Sequence, residues 1–208
     1  MANGVAVVRP RVFPMSLFVK LDNKDKAILT ILGENPDAPQ EYIAEQIGIS
    51  QPSVAVRLRK LKASGVLSKV VGVDPTKVGL YLAKVEITAK NPLELLESFK
   101  DCPYFVNGFL VSGRSNVCML FVGENIETIE TIVDSHIRPN SNVQSVEFNI
   151  VISAVRSFIV PLKMNFKPVE SPPCGSKTKC KDCQYFQKNK CLGCPAVQHY
   201  KGNFWQQK

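Results

Sequence analysis

Four cysteines near the end of the chain have the spacing of a metal site. They form two Cys-x2-Cys pairs separated by seven residues: Cys180, Cys183, Cys191 and Cys194. Each pair can present two thiolates to one ion, and two pairs complete a tetrahedron. Cys174 and His199 flank this set as further candidate ligands. The pattern therefore predicts a metal site in the tail.

Three chemistries fit this set. Structural zinc ranks first, because four thiolates close a tetrahedron without a further function. An iron–sulfur cluster ranks second, since Cys194-Pro195 resembles the Cys-Pro of ferredoxin motifs and five cysteines allow a choice of four. A thiol–disulfide switch without metal is the third. Three nearby lysines are expected to lower the thiol pKa values: Lys179, Lys181 and Lys190. Four nearby aromatic residues are expected to form a small core: Tyr185, Phe186, Phe204 and Trp205.

The remaining cysteines and the other histidine have ordinary structural interpretations. Cys102 and Cys118 are expected to be small core residues. His136 falls on the apolar side of a predicted helix, and we interpret it as a packed histidine rather than a ligand.

A second set of residues could bind nucleic acid. No Asp or Glu occurs between Ser50 and Ser64, where Arg and Lys are frequent. A helix with cations at its rim and small polar groups at its centre suits the major groove. The residues assigned to base edges are Gln51, Ser53, Val56 and Arg57, those assigned to phosphates are Lys60 with Arg59 or Lys62, and Lys69 is assigned to a wing.

The elements around this helix indicate a helix-turn-helix. A first helix is predicted from Asp22 to Gly33, and a second is predicted to begin with a capping box of Asp37 and Gln40 around Pro39. Gly48-Ile49-Ser50 is a turn of suitable length before the third helix, and Val66 to Val73 is β-rich. The alternative is a solvated basic helix in a three-helix core.

From Leu80 the pattern changes to alternation and predicts β-α-β-β-α-β, a ferredoxin-like unit. The strand from Val117 to Val122 is apolar on both faces, and helices can cover only one face of such a sheet. A partner subunit is the simplest cover, so we predict a homodimer. The alternative is burial against the first domain of the same chain.

The predicted fold class is therefore α+β. We divide the chain into an N-terminal arm at 1–20, a winged helix-turn-helix at 21–76, a βαββαβ sensing and oligomerisation domain at 80–160, and a Pro-containing linker with a Cys-rich metal-binding tail at 161–208. The net charge is +8, but residues 161–208 carry nine Lys against Glu170 and Asp182. No apolar run approaches the ~20 residues that span a bilayer, so we expect a cytoplasmic protein without membrane contact.

The segment from Ile49 to Leu61, followed by Gly65-Val66-Leu67, resembles the signature of the leucine-responsive and asparagine-synthetase regulators, the Lrp/AsnC family. The resemblance covers about residues 18–158 and does not extend to the tail. It implies a transcriptional regulator that binds double-stranded DNA, forms dimers and often octamers of stacked dimers, and binds an amino acid or related small molecule between dimers.

The ligand turn departs from the family pattern. The family commonly carries acidic residues after the glycine of this turn, whereas this chain has Gly113, Arg114, Ser115 and Asn116. An Asp that could hold an amino group is replaced by Asn116, and Arg114 adds a cation. These four residues are the candidate effector site, with an anionic ligand favoured over a free amino acid. The alternative is an ordinary hairpin turn.

The predicted function is sequence-specific regulation of transcription in response to a small-molecule, metal or redox signal, without enzyme activity. One alternative is an enzyme like the sirohaem decarboxylases of similar architecture, which use histidine and basic side chains in a pocket. This chain has only His136 and His199. The other alternative is a metal-dependent protein-interaction module.

Overall fold

The computed structural model describes residues 19–175 and 179–207. The N-terminal arm predicted at 1–20 lies outside this range except for its last two residues. The chain divides into two compact units, Met1–Lys69 and Val70–Lys208. Across the described residues, every helix is too short or too polar to span a membrane.

The first unit contains three helices: α1 (Asn23–Glu34), α2 (Gln40–Ile47) and α3 (Gln51–Ala63). Asp22 caps α1 as predicted, in a capping box completed by Asp25. Between α2 and α3, Gly48 takes the left-handed conformation (φ 64°), which a residue without Cβ adopts readily. The fully buried side chains Ile28, Ile43 and Val54 join the three helices in one core.

Two local predictions in this unit are wrong, as is one at its boundary with the second unit. Helix α1 continues past Gly33 to Glu34, because Gly33 keeps a negative φ and therefore does not terminate it. Asp37 does not cap α2, which begins at Gln40 after Pro39; the Asp37 carboxylate instead pairs with Lys69. Within the described residues, the β-rich segment after α3 forms no strand, and only Val73 makes an isolated bridge, with Val160.

The second unit is built on a four-stranded antiparallel sheet with strand order β2-β3-β1-β4. Its elements are β1 (Tyr81–Ala89), α4 (Pro92–Phe99), β2 (Phe105–Leu110), β3 (Val117–Gly123), α5 (Ile126–Ile132) and β4 (Val143–Ile150). This is the βαββαβ unit that the alternation predicted. A π-helical turn, Val133–Ile137, extends α5.

Alternation of burial along the strands separates the two faces of the sheet. Val85, Met119 and Phe121 are fully buried in the core formed with α4 and α5. On the opposite face, the neighbouring β3 residues Cys118 and Leu120 are only half-buried. The sheet therefore has one closed face and one partly open face.

The tail continues the second unit and contains β5 (Asn165–Phe166), a 3-10 turn at Cys180–Asp182, α6 (Gln184–Gln187) and β6 (Gln206–Gln207). Phe166, Ala196 and Trp205 are buried in the same core as the sheet. Trp205 meets the ring of Tyr104 edge-on, with ring centroids 4.9 Å apart. The aromatic residues of the tail therefore pack on the sheet domain and not only on one another.

Candidate nucleic-acid interface and cysteine cavity

Helix α3 separates its apolar and polar residues cleanly. Val54, Leu58 and Leu61 are buried in the first unit. The other side is exposed and carries both the proposed base-contacting and the proposed phosphate-contacting residues: Gln51, Ser53, Val56, Arg59, Lys60 and Lys62. Val56 is 60% exposed, which leaves an apolar side chain free to meet a thymine methyl group.

Arg57 differs from its neighbours because its guanidinium is already paired. Nη1 donates to Asp22 Oδ2 and to Asp25 Oδ1, each at 2.7 Å. Hydrogen bonds from the Asp25 amide and from Arg57 lower the pKa of Asp22, and the two carboxylates raise the pKa of Arg57. Asp25 is buried, so Arg57 joins α3 to the start of α1. Its role as a base reader stays a prediction, and it would have to leave these carboxylates to fulfil it.

Lys69 is also paired, with Asp37 Oδ1 at 2.5 Å. Both side chains are well exposed, at 65% and 81%, so solvent screens this pair and leaves Lys69 available to a phosphate.

The turn at Gly113 to Asn116 is organised by its own hydrogen bonds. The Asn116 side chain accepts from the Ala89 amide (2.9 Å) and donates to the Ala89 carbonyl (2.7 Å). Gly113 has φ 139°, a conformation that favours glycine. The amide of Asn116 is therefore occupied in holding the turn to β1, while Arg114 is exposed. Effector binding at this turn stays a prediction.

A small, partly open cavity in the second unit has cysteine at nearly half of its lining positions. Six cysteines and His136 line it beside apolar and hydroxyl side chains, and we call it the cysteine cavity: Cys102, Cys174, Cys180, Cys183, Cys191 and Cys194. All four predicted tail cysteines line this cavity, as does Cys174, and metal binding by them stays a prediction. His199 is not among the lining residues; it lies on a neighbouring outer pocket that also exposes Cys180.

The sequence did not indicate the contribution of Cys102 and His136. Cys102 is buried as expected, yet its thiol forms a hydrogen bond with that of Cys174. His136, interpreted above as a packed histidine, is half-buried with Nδ1 3.4 Å from Cys174 Sγ. Cys102 and His136 are distant from the tail in sequence, and their contacts with Cys174 link them to the tail cysteines.

Burial shifts two thiols of the cavity: it raises the pKa of Cys191 and raises that of Cys194 to about 12. The predicted lowering by the tail lysines is therefore wrong for these two thiols. Lys179, Lys181 and Lys190 are exposed, so water screens their charges, whereas burial directly penalises a thiolate.

The loop around Cys191 and Cys194 is anchored to the sheet domain. The Leu192 amide donates to Thr128 Oγ1 (3.0 Å), and the Tyr104 hydroxyl donates to the Gly193 carbonyl. A second anchor is Glu124, whose carboxylate accepts from the Tyr200 hydroxyl and from the Asn203 amide (2.8 Å). Within residues 19–175 and 179–207, no group of three or more His, Cys, Asp or Glu side chains is arranged to hold a metal ion.

The first unit matches the family model described as winged helix-turn-helix DNA-binding, over residues 21–68. The chain is 28% identical over 144 residues to the "Uncharacterized HTH-type transcriptional regulator PH0061" of Pyrococcus horikoshii, a match that covers 67% of this chain and 97% of that protein. It is 23% identical over 137 residues to the "Regulatory protein AsnC" of Escherichia coli K12, covering 64% and 90%.

Solved structures show the same fold. The crystal structure of PH0061 has a TM-score of 0.59 at 26% identity and covers 68% of this chain and 99% of its own. The structure of E. coli AsnC has a TM-score of 0.57 at 20% identity and covers 66% and 96%. Two thirds of this chain thus account for nearly all of these relatives, and the remaining third is additional to them.

Proposed function

We propose that this chain, which resembles the Lrp/AsnC regulators over about two thirds of its length, is a DNA-binding transcriptional regulator that acts in the cytoplasm. The observation that carries the proposal is the exposed face of α3, where Arg59, Lys60 and Lys62 border Gln51 and Ser53 without an acidic residue in the helix. Cations at the rim bind phosphates, and the central polar side chains meet base edges.

The test is selection of bound duplexes from a random DNA library, followed by affinity measurements on the selected sequence. Substituting Arg59→Ala and Lys60→Ala together should weaken binding to all duplexes, because phosphate contacts carry no sequence information. Gln51→Ala should instead relax the preference at one base pair, at a cost of ~1–3 kcal/mol. Lys26→Ala is a matched control, since Lys26 is an exposed lysine of α1 in the same unit.

Retention of wild-type affinity and selectivity by all the α3 variants would contradict the proposed interface. A fall in the affinity of Lys26→Ala equal to that in the α3 variants would show that the effect is general charge and not the helix.

We propose that the active form is a homodimer in which a second copy covers the partly open face of the sheet. Leu120 and Cys118 lie half-buried on that face beside the Lys84–Glu86 ion pair (2.8 Å). Stacking of such dimers into an octamer remains compatible with this arrangement. Leu120→Asp should shift the protein to monomer in analytical ultracentrifugation, and an unchanged mass would contradict this interface.

The signal is proposed to act through the second unit, by metal or thiol chemistry in the tail or by a small molecule at residues 113–116. We favour metal, with zinc ahead of an iron–sulfur cluster, because soft thiolates select these groups. Metal analysis and an absorption spectrum of protein purified without oxygen test this. One zinc per colourless chain indicates a structural site, and a brown protein with iron and sulfide indicates a cluster.

The two alternative functions have less support. The matched relatives are named as regulators, which does not favour a sirohaem decarboxylase. An interaction module in the tail would have to use surface outside its anchors, because Trp205 is buried in the core of the sheet domain.

A further inference from the structure

Two residues of the sheet domain line the cysteine cavity together with the tail cysteines. Cys102 follows α4, and His136 lies in the π-helical turn after α5. Cys174 connects them, with its Sγ 3.4 Å from His136 Nδ1 and its thiol in a hydrogen bond with that of Cys102. Donors from three separate segments therefore face one space.

The backbone that carries His136 has an unusual conformation. A π-helical turn is rare, and such turns are frequently found at functional sites. Here the turn at Val133–Ile137 carries His136. A continuous α-helix would rotate the residues that follow and change the direction of the imidazole.

In the Cys191–Cys194 loop, a backbone amide forms a hydrogen bond with a cysteine sulfur. Gly193 has φ 84°, and its amide donates to Cys191 Sγ at 3.4 Å. A Cβ at this position would lie 3.0 Å from the Phe186 ring. Amide hydrogen bonds to sulfur are among the contacts that tune thiolate-bound metals.

We propose that the cysteine cavity is one thiolate-rich metal centre that takes zinc or an iron–sulfur cluster, and that the sheet domain contributes Cys102 and His136 to it. The inference rests on the proposed metal binding in the tail and extends it. The shared chemistry is a soft, thiophilic metal held by thiolates with one imidazole.

The arrangement also offers a route to the centre. Cys180 lines both the cavity and the outer pocket, so it lies where an ion would enter from solvent. Because the donors do not converge in the described residues, binding would require a subset of them to move together, and each coordinating thiol would release its proton to water. Because these donors come from the tail, from the α4–β2 connection and from the end of α5, the bound metal joins all three segments.

The experiment uses the full chain, purified without oxygen, stripped of metal and titrated with zinc or with cobalt(II) as its spectroscopic probe. Cys102→Ser and His136→Gln should each weaken metal binding by at least about tenfold and alter the cobalt spectrum. Cys118→Ser is the matched cysteine control, since Cys118 lies on the partly open face of the sheet, outside the cavity lining. His199→Gln is the matched histidine control.

The outcomes separate this inference from the proposed tail site. Wild-type metal affinity and spectrum in both Cys102→Ser and His136→Gln, with loss of metal in Cys180→Ser, would leave a tail site and overturn the wider centre. Absence of metal binding in the wild-type chain would overturn both, and a Cys102–Cys174 disulfide formed when that protein is then exposed to oxygen, the oxidant, would identify a thiol switch instead. Iron and sulfide in the isolated protein would identify the metal centre as an iron–sulfur cluster. Zinc without iron would identify it as a zinc site.

A measurement on the wild-type chain covers the case in which a variant fails to fold. X-ray absorption at the metal edge should show sulfur ligands together with one imidazole nitrogen in wild-type protein and in His199→Gln. A coordination shell of sulfur alone would overturn the assignment of His136. A wild-type circular dichroism spectrum with cooperative unfolding serves as the check that each variant folds.

Discussion

Basic residues concentrate in two regions of this chain, and the structure uses them differently. Helix α3 keeps Arg59, Lys60 and Lys62 exposed on one face. The tail carries more positive charge, yet Lys201 lies over the Phe186 ring (3.9 Å) and donates to the Phe186 carbonyl (3.0 Å). Lys201 therefore serves contacts inside the tail, whereas the cations of α3 share one exposed helix face with polar side chains and no acidic residue.

The two regions also differ in what their other residues do. In α3 the functional side chains face away from a core that the three helices form by themselves. In the tail the candidate ligands face inward, toward Cys102 and His136 of the sheet domain. A site of the first kind depends on local geometry, and one of the second kind depends on long-range packing.

The largest effect should come from Trp205→Ala. Trp205 is buried in the core of the second unit and packs edge-on against Tyr104 and Phe204. Removing such a side chain from a core costs ~3–5 kcal/mol. Chemical denaturation should show this destabilisation for the whole second unit, while Tyr185→Ala, at an exposed position of the tail, should change little.

An unchanged stability of the sheet domain in Trp205→Ala would contradict the dependence of the tail on long-range packing. It would mean that the tail folds as an independent module and contributes nothing to the core of the sheet domain.

The second prediction concerns the salt dependence of DNA binding. Removing one phosphate-binding side chain from α3 should reduce the slope of log affinity against log salt by about 1. Lys60→Ala should show this reduction. Lys188→Ala, which removes an exposed lysine from the tail, should leave the slope unchanged.

Equal reductions in the two variants would place both basic regions on DNA. The contrast between α3 and the tail would then lie in the cysteines alone.

The predictability of the two regions follows from the same difference. Helical spacing placed Val54, Leu58 and Leu61 on the buried face of α3, because that pattern is fixed by local geometry. Alternation likewise predicted β1, since Val85 and Ile87 are fully buried between half-buried neighbours. The Cys-x2-Cys spacing predicted a shared site for the tail cysteines; they line one cavity, and metal binding there stays a prediction.

Spacing could not predict which distant residues approach a site. Cys102 and His136 line the cavity where Tyr104 and Thr128 hold the tail loop on the sheet domain, through contacts across 89 and 64 residues of sequence. The pairing of Arg57 with Asp25 could not be predicted for the same reason. Sequence periodicity indicates that a residue faces outward, but not that a carboxylate from another helix lies beside it.

The smallest effect is expected at Arg57. It tests whether Arg57 is held by its carboxylates or is available to DNA like the other cations of α3. Arg57→Ala leaves the buried Asp25 carboxylate without its cation, so thermal unfolding should begin a few degrees lower. Hydrogen bonds, including that from Arg57, lower the pKa of Asp22 in the folded chain. Their contribution to stability is therefore present above the unfolded carboxyl pKa of ~3.9 and is lost as the pH falls through the lower, folded value.

The destabilisation in Arg57→Ala should accordingly be clear at neutral pH and vanish in strong acid. Arg57→Lys keeps the charge but not the shared Nη1 geometry, and it should recover part of the stability. A fall in DNA selectivity with unchanged stability at neutral pH would instead show that Arg57 leaves its carboxylates to read a base, and would return it to the reading face of α3.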